Sequence, residues 1–267
     1  MKIGVLMPSC RPTLVAEALD GLRNFPQEGV DSVHLIAQKF SRSEWETCVE
    51  QHDPGVPVCF TWQPAGGPVY PLRWAHAATH PEIDVWINVD DDIEPIETTD
   101  WHSLARFVHE GDYGVVSGNF ARSRKLMHRS WPPKDPLFIK QPFTNMSGGQ
   151  AVPKRLVPVL SGEVKDGMGL APWYFDDVQV GLTAYLMGEQ PVRWRGSLAL
   201  HKILSPNGLN GPSGLFSNMM VRHTMPDPQW VTVQETPEGS NYDFLMPRPA
   251  DITPEAHARH KQLQEAR

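Results

Sequence analysis

Val85-Trp86-Ile87-Asn88-Val89-Asp90-Asp91-Asp92-Ile93-Glu94-Pro95 is the stretch whose reading decides the fold. The apolar run from Val85 to Val89 has the length of a buried strand. Three consecutive aspartates follow it, and Pro95 stops the element. Clustered like charges are unfavourable unless a cation or water shares them. In extended backbone Asp90 and Asp92, two residues apart, face the same way, and Asp91 faces away to support the loop. Carboxylates on one side of a strand end suit Mg²⁺ or Mn²⁺, with phosphate oxygens completing the shell. A lone D-x-D is more often a solvated acidic turn; the apolar strand feeding this one favours a site.

The chain around it is that of an ordinary globular protein. Its 267 residues allow one large or two small domains, with ample chain for a core. A net charge of −7 excludes a generic polyanion binder. Cys10, Cys48 and Cys59 are odd in number and lack C-x-x-C spacing, which fits a reducing, cytoplasmic setting and no structural zinc. The run Ile3 to Met7 is too short for a signal peptide, and no apolar run approaches the ~18–20 residues of a membrane span.

Strand and helix alternate through the first 95 residues. Lys2–Met7 reads as a strand, left through the loop Pro8-Ser9-Cys10-Arg11-Pro12. Thr13 reads as the N-cap of a helix to about Asn24, with Leu14, Ala18, Leu19 and Leu22 on one face. Strands are expected at Ser32–Ala37 and Val56–Trp62, and helices at Ser43–His52 and about Pro71–Thr79. This pattern predicts an α/β fold with an open, mostly parallel sheet whose ligands lie at the carboxyl ends of its strands. The Pro8–Pro12 loop, the Gly66-Gly67 loop and Asp90–Asp92 all fall at such ends. Beyond Pro95 a helix is expected at Trp101–His109 and strands at Tyr113–Ser117 and Gln190–Trp194. Phe175–Met187 reads as a helix entered through Asp176-Asp177 and ended by Gly188. Pro and Gly punctuate Ser205–Pro254, which predicts long loops, with a polar helix after Pro254.

In this order the pieces resemble a GT-A-fold, nucleotide-sugar-dependent glycosyltransferase of the family 2 type. The opening strand and Pro8-Ser9-Cys10-Arg11-Pro12 resemble that family's nucleotide-binding loop, and Asp90-Asp91-Asp92 its D-x-D metal motif. Ser147-Gly148-Gly149-Gln150-Ala151-Val152-Pro153-Lys154-Arg155 resembles its acceptor-side glycine segment. Tyr174-Phe175-Asp176-Asp177-Val178 resembles its catalytic-base motif, with Asp176 where the family usually shows Glu. His201 stands where such enzymes often carry a third metal ligand. The resemblance covers residues 2–203 and implies a single catalytic domain. Residues 1–118 would bind the nucleotide sugar, 119–204 the acceptor, and 205–267 would form a loop-rich extension.

That likeness implies an inverting transfer of a sugar from a nucleotide-diphosphate donor to an acceptor hydroxyl. Mn²⁺ or Mg²⁺ held by Asp90, Asp92 and His201 would neutralise the leaving diphosphate. Asp177, with Asp176 beside it, is the expected general base. Pro8, Ser9, Arg11, Arg73 and Asp90 are the candidate donor-binding residues, the two arginines because a guanidinium suits phosphate. The plain alternatives are helix-terminal charge at Asp176-Asp177, a packed His201, solvated arginines, and core or pocket-wall positions for Trp62, Trp74 and Trp86.

The acceptor reading rests on a change of composition. From Arg122 to Arg155, Arg122, Arg124, Lys125, Arg129, Lys134, Lys140, Lys154 and Arg155 are opposed only by Asp135, with Trp131, Phe138 and Phe143 interspersed. A local positive field with aromatics suits a polyanion with unpaired bases, so one reading is transfer to a hydroxymethylated base in DNA, flipped from the duplex. The rivals are a glycan, a lipid-linked or a small-molecule acceptor, and a solvated loop. Two other function classes stay open. A nucleotidyltransferase shares the sheet and paired aspartates but usually carries glycines after its first strand, which Pro8–Pro12 lacks. A non-catalytic nucleotide- or carbohydrate-binding protein would keep its role without Asp177.

Overall fold

A computed structural model describes residues 1–63, 69–111, 113–121, 131–133, 137–140, 148–162, 180–181, 183–184, 187–202, 230–234 and 241–245. The alternation expected from the sequence is present: β1 (Ile3–Ser9), α1 (Pro12–Asn24), β2 (Val30–Gln38), α2 (Arg42–Gln51), β3 (Val58–Gln63), α3 (Val69–Ala78) and β4 (Val85–Asn88). There follow β5 (Ile93–Glu94), α4 (Trp101–His109), β6 (Val115–Ala121), β7 (Phe138–Lys140), β8 (Gln150–Pro153), α5 (Val157–Gly162) and β9 (Pro191–His201).

These strands make one sheet in the order β3-β2-β1-β4-β8-β6-β9-β5, with β7 paired to β9. β3, β2, β1 and β4 are mutually parallel, and β6 is parallel to β9. β8 is antiparallel to both β4 and β6, so those two point the same way; β5 and β7 oppose β9. The sheet is therefore mostly parallel in direction and α/β in class. The chain leaves β1 toward β2 on one side and returns through α3 to β4 on the other. That reversal opens a crevice at the carboxyl ends of β1 and β4, the ligand position of open α/β sheets.

Alternate residues of each strand feed two cores, which is why β1, β2 and β4 read as continuous apolar runs. Val5, Met7, Val33, Leu35 and Ile87 pack with Val15, Leu19 and Leu22 of α1, Trp45 of α2 and Trp101 of α4. On the other face, Leu6, Ile36 and Trp86 pack with Trp74 of α3 and Leu160 of α5. Each fully buried aliphatic side chain contributes roughly 1.5–3 kcal/mol relative to exposure. Trp74 and Trp86 are thus core, whereas Trp62 stays partly exposed.

Several boundaries differ from the sequence reading for local reasons. α1 is capped by Arg11 rather than Thr13, because Pro12 fits the first helical position, where no N–H is needed. α2 begins one residue early because Ser41 and Glu44 form a reciprocal capping box. β6 runs on to Ala121, and β9 runs past Trp194 to His201 through a shift of register between Ser117 and Asn119. Within the stretch read as loops, β10 (Trp230–Gln234) and β11 (Asn241–Leu245) pair antiparallel. Their alternating apolar residues carried the signal, but the surrounding Pro and Gly dominated the reading. The expected helix over Phe175–Met187 is described at 180–181 and 183–184, which are helical, and Gly188 has φ +79° as a helix-ending glycine should. No described helix is long and apolar enough to cross a membrane.

Candidate functional site at the carboxyl ends of β1 and β4

β4 ends at Asn88, and the chain turns at once, Ile93 N–H donating to the Asp90 carbonyl at 3.2 Å. The extended backbone assumed for Asp90–Asp92 is therefore absent, and each aspartate is placed by its own partners. Asp91 is buried and accepts from Ser9 Oγ–H and from Arg11 Nε (3.0 Å) and Nη2. Ser9 Oγ in turn accepts from the Arg11 N–H at 2.8 Å. The expectation that Asp91 braces the loop is met. Burial pushes its carboxyl above the ordinary range against the pull of Arg11 and Ser9. Burial also acts to lower the Arg11 guanidinium, but the Asp91 bond and the charges of Asp91, Asp92 and Asp90 outweigh it and hold it firmly protonated.

Asp90 is the accessible member, with its side chain 44% exposed and Arg73 Nη2 3.7 Å away. Arg73 is not a surface arginine. It is buried on α3 and donates to Asn88 Oδ1, while Asn88 Nδ2 donates to Gln150 Oε1 at 2.9 Å. A buried cation therefore backs the first carboxylate of the turn. Pro8 and Ser9 belong to β1 itself rather than to a loop, with Pro8 in register with Ile36.

Asp92 faces the far half of the sheet. β5 pairs with the end of β9 so that Ile93 lies opposite His201, and Lys202 N–H donates to the Asp92 carbonyl at 2.8 Å. His201 Nε2 comes within 3.3 Å of Asp92 Oδ1, and both side chains are largely buried. Asp92 Oδ1 and His201 Nδ1 have no hydrogen-bond partner among the described residues. A buried carboxylate oxygen without a donor, beside an imidazole, fits a divalent cation of the Mn²⁺ kind. Asp90, Asp92 and His201 do not bring three ligand atoms within 4.8 Å of one another; among the described residues only His34, His76 and His80 do so.

Other expected participants divide clearly. Gly148 and Gly149 serve packing: a Cβ at Gly148 would lie 2.2 Å from the Asn119 carbonyl, and Gly149 has φ +87° against Trp101. Of the basic run, Arg155 is forked onto Glu189 (2.7 and 2.9 Å) and donates to the Val108 carbonyl, while Lys154 donates to the Pro81 carbonyl. Trp131 packs on Ile96, Ala121, Leu198 and Leu200, and Phe138 stacks on Tyr113. Neither aromatic is a free platform for a base. Asp176, Asp177, Gly66, Gly67, Arg122, Arg124, Lys125, Arg129, Lys134, Asp135, Phe143 and the expected helix after Pro254 lie outside the described residues.

The fold recurs in solved structures. Residues 1–349 of S. aureus TarS match at 16% identity with a TM-score of 0.52, covering 83% of this chain and 64% of that one. The complex of the same protein with UDP-GlcNAc gives 13% and 0.54, covering 83% and 65%. The mannosyltransferase PcManGT from Pyrobaculum calidifontis, in complex with GDP-Man and Mn²⁺, matches at 14% with a TM-score of 0.58, covering 78% and 59%. The chain has the GT-A fold. It spans less than two thirds of the length of these GT-A structures. At such identities the likeness reaches the fold and no further. No protein-family model matches the sequence, and the comparison with curated proteins gives no match.

Proposed function

We propose that this chain is a metal-dependent glycosyltransferase that moves a sugar from a nucleotide-diphosphate donor to an acceptor hydroxyl with inversion. The observation that carries the reading is the buried pair Asp92–His201 in the crevice of a GT-A sheet, whose Oδ1 and Nδ1 have no hydrogen-bond partner among the described residues. The neighbours' complexes with UDP-GlcNAc and with GDP-Man and Mn²⁺ support the same donor chemistry. A divalent ion held by Asp92 and His201, with Asp90 beside them, would supply positive charge to the leaving diphosphate. The protein's own share is electrostatic and geometric. Arg11, 41% exposed and fixed by Asp91, offers a guanidinium edge at the crevice, and Arg73 places a buried positive charge 3.7 Å from the Asp90 carboxylate. Asp177 takes the proton from the acceptor hydroxyl as it attacks the anomeric carbon, with Asp176 adjacent.

The experiment is thermal denaturation with a panel of nucleoside diphosphates, each with and without Mn²⁺, on wild type and Asp92→Ala. A metal-dependent rise for one diphosphate, lost in the variant, is expected; ligand at ~100 times its dissociation constant adds about 2.7 kcal/mol. No rise with any diphosphate overturns the reading. Asp177→Asn then binds donor normally and loses turnover if Asp177 is the base.

The acceptor separates two forms of this proposal. Transfer to a hydroxymethylated base in DNA draws its support from Arg122, Arg124, Lys125, Arg129 and Lys134, since Lys154, Arg155, Trp131 and Phe138 are engaged internally. A glycan, lipid-linked or small-molecule acceptor needs none of them. Duplex binding that weakens by about 0.9 in log K per log salt for each phosphate contact supports DNA. No binding at low salt removes it.

A further inference from the structure

His34 meets His76 and His80, which stand four residues apart, on the sheet face covered by α3. His34 lies mid-strand in β2, His76 on the last turn of α3, and His80 just beyond it. One ring nitrogen of each lies within 4.8 Å of the others. His34 Nδ1 and His76 Nε2 are 3.0 Å apart. The remaining nitrogens are each held by oxygen. His34 Nε2 bonds Ser32 Oγ at 2.8 Å, His76 Nδ1 bonds Thr61 Oγ1 at 3.2 Å, and His80 Nδ1 bonds Glu82 Oε1 at 3.0 Å. Outer oxygen partners that fix imidazole orientation while the inner nitrogens converge are the arrangement around metal-binding histidines.

We propose that His34, His76 and His80 form a binding site for a borderline-soft divalent transition metal, Zn²⁺ foremost, distinct from the carboxylate-rich site at Asp92. Two ligands of a tetrahedral zinc with Zn–N of about 2.0–2.1 Å stand about 3.3 Å apart, so the 3.0 Å pair needs to open by only a few tenths of an ångström. Zinc takes neutral imidazole, and burial together with the neighbouring rings holds both His34 and His76 down at about 4. The pocket is built for rings: Gly4 on β1 leaves space that a Cβ would close at 2.7 Å from Trp86, whose ring crosses there to meet His34 edge-on at 4.8 Å. Three histidines leave a fourth position for water or a small ligand. The plain alternative is a hydrogen-bonded histidine ladder closed by the His34–His76 bond. It accounts for His80 by ring packing on His34 at 4.5 Å and His76 at 4.7 Å, and it differs from a metal site in giving no affinity for an ion. Because α3 carries both His76 and Arg73, a metal here would tie that helix to β2 at its far end.

The test uses tag-free protein stripped with chelator and dialysed, titrated with Zn²⁺ by calorimetry and with Co²⁺ by visible absorption. Wild type is expected to bind zinc with an intense tetrahedral Co²⁺ spectrum. Asp92→Ala keeps both, and His80→Gln loses affinity by more than the roughly 10–100-fold that an outer-shell partner costs. Glu82→Gln, exposed and benign to folding, falls within that 10–100-fold range. Circular dichroism of each variant confirms the fold. The proposal is overturned if wild type binds no zinc, if His80→Gln binds as wild type does, or if Asp92→Ala alone abolishes binding.

Discussion

Asp91 and Asp92 are neighbours in sequence that share Arg11 unequally, since it hydrogen-bonds Asp91 and stands 3.5 Å from Asp92 Oδ2, and substitution separates their roles. Asp91 is the buried acceptor of Ser9 and Arg11, so Asp91→Asn leaves a charged guanidinium and a hydroxyl poorly matched. A loss of about 1.5–3 kcal/mol in urea denaturation is expected, the range for hydrogen bonds to charged groups. Asp92→Asn removes one of three crowded like charges and no described hydrogen bond to its Oδ1. With relief of that crowding set against the lost contacts to Arg11 and His201, it should cost less stability than Asp91→Asn, while the Mn²⁺-dependent diphosphate shift disappears. The sequence reading of Asp91 as support for the loop agrees with its bonds to Ser9 and Arg11, although that reading assumed extended backbone and the chain turns there. The sequence did not allow Arg73 to be placed. Its partners Asn88 and Asp90 are close only because α3 packs under β4, and nothing in the local pattern around Arg73 distinguishes a buried arginine from a solvated one.

At the level of elements, close approach explains what composition left open. Gly148 lies against Gly118 and Asn119 of β6, and Trp101 donates from Nε1 to its carbonyl. Gly148→Ala is expected to cost about 1–3 kcal/mol or more through forced backbone displacement, read as a lower urea midpoint at unchanged slope. Ser41→Ala removes the capping box of α2 and should cost about 0.5–2 kcal/mol, with far-UV circular dichroism following the loss. The alternation of strand and helix was legible because each buried strand and each amphipathic helix declares its own period. The end of β9 was not, because Arg195-Gly196-Ser197 breaks that period while the strand continues through a register shift. Yet that continuation delivers His201 to Asp92. The histidine trio was half legible, since His76 and His80 stand four residues apart and only the fold brings His34 of β2 to them.

Across the whole molecule, the two cores share strands from both halves. Val5, Ile87, Val116 and Val192 belong to one cluster, so no boundary near residue 118 divides the described sheet into units with separate interiors. Tryptophan fluorescence and far-UV circular dichroism should therefore report one coincident unfolding transition. Two resolved transitions would place a seam where the packing has none. The turn that follows β4 also has a kinetic implication. Asp91, Ser9 and Arg11 already lock it from within, and β5 and Lys202 lock its other end. At this turn a ligand meets described walls already in position, so the turn itself adds little chain to order and the encounter with it should be governed by diffusion and charge. Observed rates for a diphosphate would then rise linearly with ligand concentration and fall with added salt, with no plateau set by this turn.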